Sequence, residues 1–457
     1  MKYIYTKKSL LILVLLLNGL TFSYAQTAAK SSTSAQIEQG NVEASMEFLA
    51  GDALQGRGSG TQFEWIAATY FASMMKQFGI MPAGENDAFG KQTYIQKVNI
   101  VRNSFAEPPK ITYQNVNLEH GKEMIIFSMN SGKISGGLQK INLDDEPKAG
   151  AVSFVRLREG EDAQKLSQNF GKLLNSDAKA IIVEETPQTR SNWERSALRL
   201  PSFTTVSGKI QNSPALIFLS TESADALAKI EDGTNIEISG KLAEPEIKNT
   251  WNAVGKIKGS DAKLSAEIIL LSAHLDHLGV RENAPGDDKI FNGADDDASG
   301  CVAILELARV LANGKRPKRS VYFVFFGSEE AGGYAARYFV DNLPFPKEKL
   351  VANLEFEMIV RPDEKVKKDE LWLTGFDRSN LGAELAKQGA KLVNDPHPEQ
   401  NFFQRSDNYT LARQGIIAHT VSSFGLHTDY HRASDELKTI DFEHMTKSIN
   451  SMIKPIE

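Results

Sequence analysis

The chain has 457 residues but only one cysteine, Cys301. Without a second thiol no disulfide can form within the chain, so stability must come from a large core and, where present, from bound metals. Cys301 opens an apolar helical pattern. It is interpreted as a small buried residue rather than as a reactive nucleophile.

The sequence also has no long basic run, no heptad array and no internal repeat of fixed period. Its formal net charge is −6 at pH 7, whereas a general nucleic-acid-binding protein shows a basic face. No stretch is apolar over the length needed to cross a bilayer. We therefore expect no nucleic-acid partner and no stable membrane insertion.

The N-terminus has the pattern of a secretory signal peptide. Lysines among the first eight residues precede a short apolar run at 10–17, and "SYA" resembles a cleavage site that ends at Ala25. The apolar run is too short to span a bilayer, although an uncleaved anchor is the alternative. We expect cleavage near Ala25 and a periplasmic or secreted mature protein.

The rest of the sequence divides into regions of different texture. Between 110 and 248, short strands such as "AGAVSFVRL", "AKAIIVEE", "SPALIFLS" and "TNIEISG" lie between polar turns. From 249 to 457, apolar strands alternate with helical patterns. The expected fold is α/β: a mixed, mostly parallel sheet with helices on both faces, formed by 26–109 and 249–457, with a small β-rich insert at 110–248.

Histidine and carboxylate side chains follow successive strands of the main domain. "HLDH" ends one strand, "GADDDASG" follows it, and "SEE", "EFEM" and "GLHTDYHRASD" mark the ends of the next ones. Because ligands collect at the carboxyl ends of parallel strands, these side chains are expected at one edge of the sheet. Histidines and carboxylates without thiolates suit zinc, cobalt or manganese. The excess of carboxylates favours two ions bridged by one of them.

In this order, the motifs resemble those of the zinc aminopeptidase and glutamate carboxypeptidase family. The family pattern H-x-D, G-A-x-D-D/N-x-S-G, E-E, a D/E-M strand end and a late H before x-x-x-D reads here as "HLD", "GADDDASG", "SEE", "FEMI" and "HRASD". The likeness is close over about 265–440 and implies the zinc exopeptidase fold. Residues 110–245 resemble a protease-associated domain, interpreted either as a lid over the site or as a purely structural element.

The resemblance implies a role for each motif residue. The implied ligands of two Zn²⁺ ions, or of another divalent metal, are His274, Asp296, Glu330, Glu357 and His431. His274 and Glu357 would hold one ion, Glu330 and His431 the other, and Asp296 would bridge them. Glu329 is implied to be the general base that accepts a proton from a metal-activated water. Tyr430 is expected either to hydrogen-bond the developing oxyanion or to be a packed aromatic residue.

Further acidic residues are expected to support these ligands. By the resemblance, Asp276 orients the first histidine ligand, and Asp297 shapes the turn of Asp296 through a cis peptide bond. Asp435 is expected to support the last histidine ligand in a similar way. Asp295, the first of the three adjacent aspartates, is expected to face solvent.

The sequence departs from the family pattern at a few positions. Glu357 stands where the family mostly has Asp, and Glu355 stands where Asn is usual. The longer Glu357 side chain alters the expected metal spacing. In "RSDNY", Asn408 replaces a more familiar histidine, and Asp407 is predicted to line the substrate pocket or to form a turn.

These residues imply an exported dizinc metallo-aminopeptidase that acts on peptides. A carboxypeptidase or dipeptidase is the nearest alternative, and it would need Arg361, Arg405 or Arg432 to reach the pocket. A one-zinc glutaminyl cyclase is disfavoured by the insert. A non-catalytic ectodomain resembling the transferrin receptor is disfavoured because every implied ligand and Glu329 are present.

Overall fold

A computed structural model of the chain describes residues 36–157, 163–210 and 214–457. The expected signal peptide and its cleavage site lie outside these ranges. The strands are β1 Met81–Pro82, β2 Ile95–Ser104, β3 Lys110–Tyr113, β4 Val116–Glu119, β5 Met124–Ser128, β6 Lys133–Ile141, β7 Val152–Val155, β8 Ala180–Glu184, β9 Ser202–Val206, β10 Lys209–Ile210, β11 Ala215–Leu219, β12 Asn235–Ser239, β13 Glu246–Ile257, β14 Ile268–His274, β15 Gly279–Val280, β16 Ile290–Phe291, β17 Ser320–Phe326, β18 Leu350–Phe356, β19 Leu371–Leu373, β20 Leu392–Asn394 and β21 Ala418–Ser422. The α-helices are α1 Gln39–Leu49, α2 Gln62–Gln77, α3 Ala163–Leu174, α4 Pro187–Ser191, α5 Trp193–Ala197, α6 Thr221–Ala228, α7 Gly300–Asn313, α8 Tyr334–Asp341, α9 Leu381–Lys387, α10 Asn408–Ala412 and α11 Phe442–Ile456.

The larger sheet has the strand order β10-β9-β2-β13-β17-β14-β18-β21-β19-β20, with β1 paired to β13. Its centre, β17-β14-β18-β21, is parallel, because helices such as α7 and α8 connect one strand to the next. The strands on both sides of this centre pair with it antiparallel. The predicted α/β fold class is confirmed, and the parallel centre is the part that carries the site.

The smaller sheet has the order β4-β3-β12-β6-β7-β8-β11-β5. The four strands predicted from sequence texture are β7, β8, β11 and β12, and the apolar residues of β8 and β11 are buried in its core. Two strands from the stretch predicted as an insert lie elsewhere, since β9 pairs with β2 in the larger sheet and β10 pairs with β9. The chain therefore leaves the larger sheet and returns to it twice.

Helix ends follow local signals in the sequence. Helix α9 ends at Lys387, because Gly389 adopts a φ of 109° just beyond it. The C-terminal helix α11 begins after Asp441, whose side chain accepts a hydrogen bond from the His444 amide. Among the described residues, no helix is long and apolar enough to cross a membrane.

Candidate metal and active site

The predicted site residues lie at the carboxyl end of the parallel centre. His274 is the last residue of β14, Glu329 and Glu330 follow β17, and Glu357 directly follows β18. His431 lies in the loop after β21. Neighbouring parallel strands end at the same edge of a sheet, so side chains far apart in sequence are brought together there.

One group of three side chains can hold a metal ion. It consists of His274, Asp296 and Glu357, each of which offers a ligand atom within 4.8 Å of the others. Nε2 of His274 lies 3.1 Å from Oδ1 of Asp296. Burial raises the pKa of Glu357 to about 7, with the charge of Asp296 acting in the same direction and His274 opposing it.

A second group shares Asp296 with the first. His277, Asp296 and Glu330 offer ligand atoms within 4.8 Å of one another, and Nε2 of His431 lies 3.2 Å from both Asp296 and Glu330. His277 was not predicted as a ligand, although "HLDH" carried the signal: Nδ1 of His277 lies 2.9 Å from Oε1 of Glu330.

The second group has the chemistry that a divalent ion requires. Both ring nitrogens of His277 and Oε1 of Glu330 are buried, and within the described chain they form no hydrogen bond of normal geometry, although Nδ1 and Oε1 lie 2.9 Å apart. Buried polar atoms are normally paired, so these orphaned donors and acceptors need an explanation. Neutral imidazole and carboxylate oxygen are ligands of zinc, cobalt and manganese. The residues present therefore fit a metal ion.

The three adjacent aspartates form a tight loop before α7. The peptide bond between Asp296 and Asp297 is cis, as the resemblance implies. Oδ1 of Asp297 accepts hydrogen bonds from the amides of Gly300 and Met358, at 2.9 Å and 3.3 Å. Oδ2 accepts one from the His274 amide at 3.2 Å. Asp297 thus ties the loop to two of the strand ends that carry the site.

The expectation that Asp295 faces solvent is wrong. Asp295 is only 1% exposed; its Oδ2 lies 2.7 Å from Nε2 of His427, and its Oδ1 accepts from the Val360 amide. These partners lie far away in the sequence and compensate the burial of the carboxylate. Asp435 accepts from the amides of Asp295 and Asp296 at 2.9 Å and 3.1 Å, so it supports the aspartate loop rather than a histidine ring.

Asp276 contacts both His274 and the loop that carries Glu329. Nδ1 of His274 lies 3.2 Å from the backbone oxygen of Asp276 and 3.9 Å from its carboxylate, so the backbone oxygen is the closer partner. The Asp276 carboxylate accepts hydrogen bonds from the Glu329 amide at 2.9 Å and from the Ser59 hydroxyl. Its side chain therefore holds the loop that carries Glu329.

Glu329 lies at the wall of a cleft beside the two groups. The cleft is also lined by Asp407, Arg405 and Arg337. Burial raises the pKa of Glu329 well above its usual value, and the charge of Asp407 adds to this while His274 opposes it. Burial also raises the pKa of Asp407 to about 7. A carboxylate with a raised pKa beside a cleft is suited to accepting a proton near neutral pH.

Tyr430 packs against a predicted ligand. Its ring stacks on His431 with centroids 3.9 Å apart and contacts Phe424. The hydroxyl lies 3.5 Å from Nη2 of Arg405. Tyr430 shares a small aromatic-lined pocket with Glu357. The structure therefore brings the hydroxyl to the edge of the site while the ring packs as an aromatic residue.

Two buried charged residues that support the site were missed by sequence reasoning. Arg57 is 1% exposed and donates hydrogen bonds to the backbone oxygens of Leu49, Leu275, Asn292 and Gly293. Glu64, also buried, accepts from the amides of Gly60 and Ser328. Arg57 thus joins the segments that carry His274 and Asp296, and Glu64 holds the residue before Glu329. Their partners cannot be read from local sequence.

The chain matches a known family over the part that forms the site. Residues 252–454 match the model of peptidase family M28. This M28 segment contains all predicted metal ligands, Glu329, Tyr430 and Asp407. The predicted resemblance to zinc aminopeptidases is confirmed, and the match supports the predicted class of zinc-dependent exopeptidases.

Curated relatives match parts of the chain. An aminopeptidase of Pseudomonas aeruginosa is 32% identical over 117 residues, which are 25% of this chain and 19% of the relative. The leupeptin-inactivating enzyme 1 of Streptomyces exfoliatus is 30% identical over 206 residues, which are 42% of this chain and 44% of the relative. The chain therefore spans less than half the length of these relatives.

A solved structure shares the fold over almost the whole chain. The aminopeptidase from Aneurinibacillus sp. strain AM-1 aligns with a TM-score of 0.50 and 18% identity, covering 93% of this chain and 94% of that protein. At this identity the likeness concerns the fold. It extends over both sheets, since the aligned share exceeds the M28 segment.

Proposed function

We propose that the chain is an exported metallo-aminopeptidase with two Zn²⁺ ions, which removes residues from the N-termini of peptides. The observation that carries the proposal is that Asp296 belongs to both candidate metal groups, as a bridging carboxylate does. The M28 match and the aminopeptidases among the relatives support the reaction. The predicted signal peptide supports export.

The residues around the cleft have complementary roles in the proposed reaction. When bound, divalent zinc acts as a Lewis acid and lowers the pKa of water. His274, Asp296 and Glu357 would hold one ion. Asp296, Glu330 and His431 would hold the other, and His277 lies close enough to be a further ligand of that second ion. Glu329 accepts the proton of the attacking water and delivers it to the leaving amine. Its amide hydrogen bond to Asp276 fixes the start of this side chain.

Tyr430 is the proposed donor to the oxyanion. Its hydroxyl lies at the edge of the site, and burial together with the charges of Asp296 and Glu357 raises its pKa. The hydroxyl therefore stays protonated and able to donate a hydrogen bond.

The cleft also has a feature that favours the alternative exopeptidase. Arg405 lines it, and a guanidinium can bind a substrate carboxylate. Of the other arginines considered, Arg361 is paired with Asp429 at 2.9 Å and Arg432 is exposed. A carboxypeptidase that reads the C-terminus through Arg405 is therefore the second candidate.

The β-rich stretch 110–248 is proposed to act as a lid with a protease-associated fold. Asn175, Val206 and Lys209 line the same cleft as Glu329. Lys209 also forms an ion pair of 3.0 Å with Asp341 of α8. These contacts support a position of part of the stretch beside the cleft, where it would limit the size of the substrate.

Mass spectrometry of a free-ended peptide incubated with the zinc-loaded protein tests the proposal. We expect a ladder that shortens from the N-terminus, with loss of turnover in Glu329→Gln and no loss in Glu364→Gln, an exposed control. Shortening from the C-terminus would establish the second candidate. Metal analysis that gives one zinc per chain, with cyclisation of N-terminal glutamine, would show a glutaminyl cyclase instead.

A further inference from the structure

Two buried carboxylates beside the metal groups form no ion pair within the described chain, although Arg337 lines the same cleft as one of them, Asp407. Glu355 is 0% exposed and Asp407 is 2% exposed. Within the described chain, neither oxygen of Glu355 nor Oδ2 of Asp407 has a hydrogen-bond partner. Buried polar atoms are normally paired, so these oxygens are available to accept hydrogen bonds from a bound cationic group.

Both side chains are directed to the candidate active site. Glu355 lies two residues before Glu357, and alternate residues of an extended strand share one face. Asp407 lines the cleft together with Glu329. Burial raises the pKa of Glu355, and the charge of Asp407 acts in the same direction. The two carboxylates therefore form one negative region that reaches from the strand end to the cleft.

The metal ions of the proposed function do not account for these two carboxylates. The proposed ligands of the two ions are His274, Asp296, Glu330, Glu357 and His431, and they include neither Glu355 nor Asp407. Among the described residues no lysine or arginine forms an ion pair with either of them, and neither belongs to a group of three ligands that could hold a further ion.

We propose that Asp407 and Glu355 form the subsite for the α-ammonium group of the substrate. Asp407, at the cleft wall, contacts the ammonium group, and Glu355 supplies negative charge behind it. The inference rests on the proposed function. A single carbon separates the α-nitrogen from the scissile carbonyl, so its subsite must lie beside the general base. Asp407 meets this condition, because it lines the same cleft as Glu329.

Isothermal titration calorimetry with leucinol and 4-methylpentan-1-ol tests this subsite. Both ligands lack a scissile bond, and they differ only in the amino group. For the zinc-loaded protein we expect leucinol to bind more tightly. Asp407→Asn should weaken leucinol binding by about tenfold or more and leave binding of the alcohol unchanged. Glu355→Gln should act in the same direction with a smaller factor, and Glu364→Gln should change neither.

The other outcomes would overturn the assignment. Unchanged leucinol binding in Asp407→Asn would exclude the subsite, and zinc loss in either variant would show that the carboxylate is a metal ligand. Thermal unfolding of each variant establishes that it is folded. The peptide ladder is an independent readout. N-terminal trimming together with leucinol binding that Asp407→Asn does not change would support the proposed function and reject the subsite. C-terminal trimming together with leucinol binding that depends on Asp407 would reject the proposed function and support the subsite.

Discussion

The two sheets treat buried charge in opposite ways. The larger sheet buries Asp295, Asp296, Asp297 and Glu355 at one edge, together with histidines. Among the described residues of 110–239, no Asp or Glu is buried, and the interior of the smaller sheet consists of apolar side chains such as Ile182 and Ile217. Buried carboxylates cost stability unless something compensates them. Their absence from the described interior of the smaller sheet separates the part of the molecule built for chemistry from the part built for stability.

Removal of the metal should have the largest effect on activity, and it should change amide hydrogen exchange in the larger sheet but not in the smaller one. With a chelator we expect turnover to be abolished, since the proposed chemistry depends on the ions. The buried carboxylates would then repel one another, so amide hydrogen exchange should rise at 292–299. Exchange in β8 and β11 should stay unchanged. A uniform rise across both sheets, measured by mass spectrometry, would contradict the comparison.

Truncation of a side chain in the apolar core of the smaller sheet should lower stability without loss of the metal. Ile182→Ala removes a fully buried side chain from β8 and should lower the free energy of unfolding by about 3 kcal/mol, measured by urea denaturation. The folded fraction should retain its zinc. Ile247→Ala, at a position that is 63% exposed, is the matched control and should cost less than about 0.5 kcal/mol. Equal costs would show that Ile182 is not part of a packed core.

Replacement of Arg57 should weaken the connection between the segments that carry His274 and Asp296. Lysine keeps the charge but cannot donate in the fixed fork of a guanidinium, so Arg57→Lys leaves buried carbonyl oxygens without a partner. We expect a loss of about 2 kcal/mol in stability and weaker zinc binding in a competition assay with a chromogenic chelator. Arg316→Lys, at an exposed position, should change neither. Zinc affinity equal to wild type would argue that Arg57 acts on folding alone.

The smallest predicted effect concerns pH and the smaller sheet. Nε2 of His120 lies 3.0 Å from the Arg199 carbonyl, and its Nδ1 accepts from the Ile126 amide. Burial lowers the pKa of His120, so the folded state takes up its proton less readily than the unfolded chain. This contribution is complete above about pH 6.5 and is lost as the pH falls below that value.

His120→Gln isolates this contribution, because glutamine retains a donor and an acceptor but does not titrate. Between pH 7 and pH 5 the Tm of wild type should fall more than that of the variant, by roughly a few degrees. Parallel pH profiles for the two proteins would show that His120 does not contribute.

The main features of the site could be predicted because its residues are tied to strand ends. Apolar runs identify the strands, and His274, Glu330 and Glu357 follow them directly, so the rule for parallel sheets is enough to bring them together. The same reasoning identified the four strands of the smaller sheet that its texture indicates. It could not assign β9 to the larger sheet, because its antiparallel pairing with β2 leaves no local signal.

The errors concern residues whose surroundings are set by distant parts of the chain. Asp295, Asp296 and Asp297 are adjacent and chemically identical, and the partners that compensate the burial of the first, His427 and the Val360 amide, lie far away in the sequence. Arg57 was missed for the same reason. A motif defines which residue types are present, but burial and pairing depend on tertiary contacts.

The double passage of the chain between the sheets limits how this architecture can be taken apart. A single deletion from Ser104 to Glu246 would remove the smaller sheet but would also remove β9 and β10, and so expose the edge of β2. Exposed strand edges pair with other chains and promote aggregation. The smaller sheet is therefore not a detachable module. A shortened enzyme would have to retain the strand pair Ser202–Ile210, with one new connection before it and one after it.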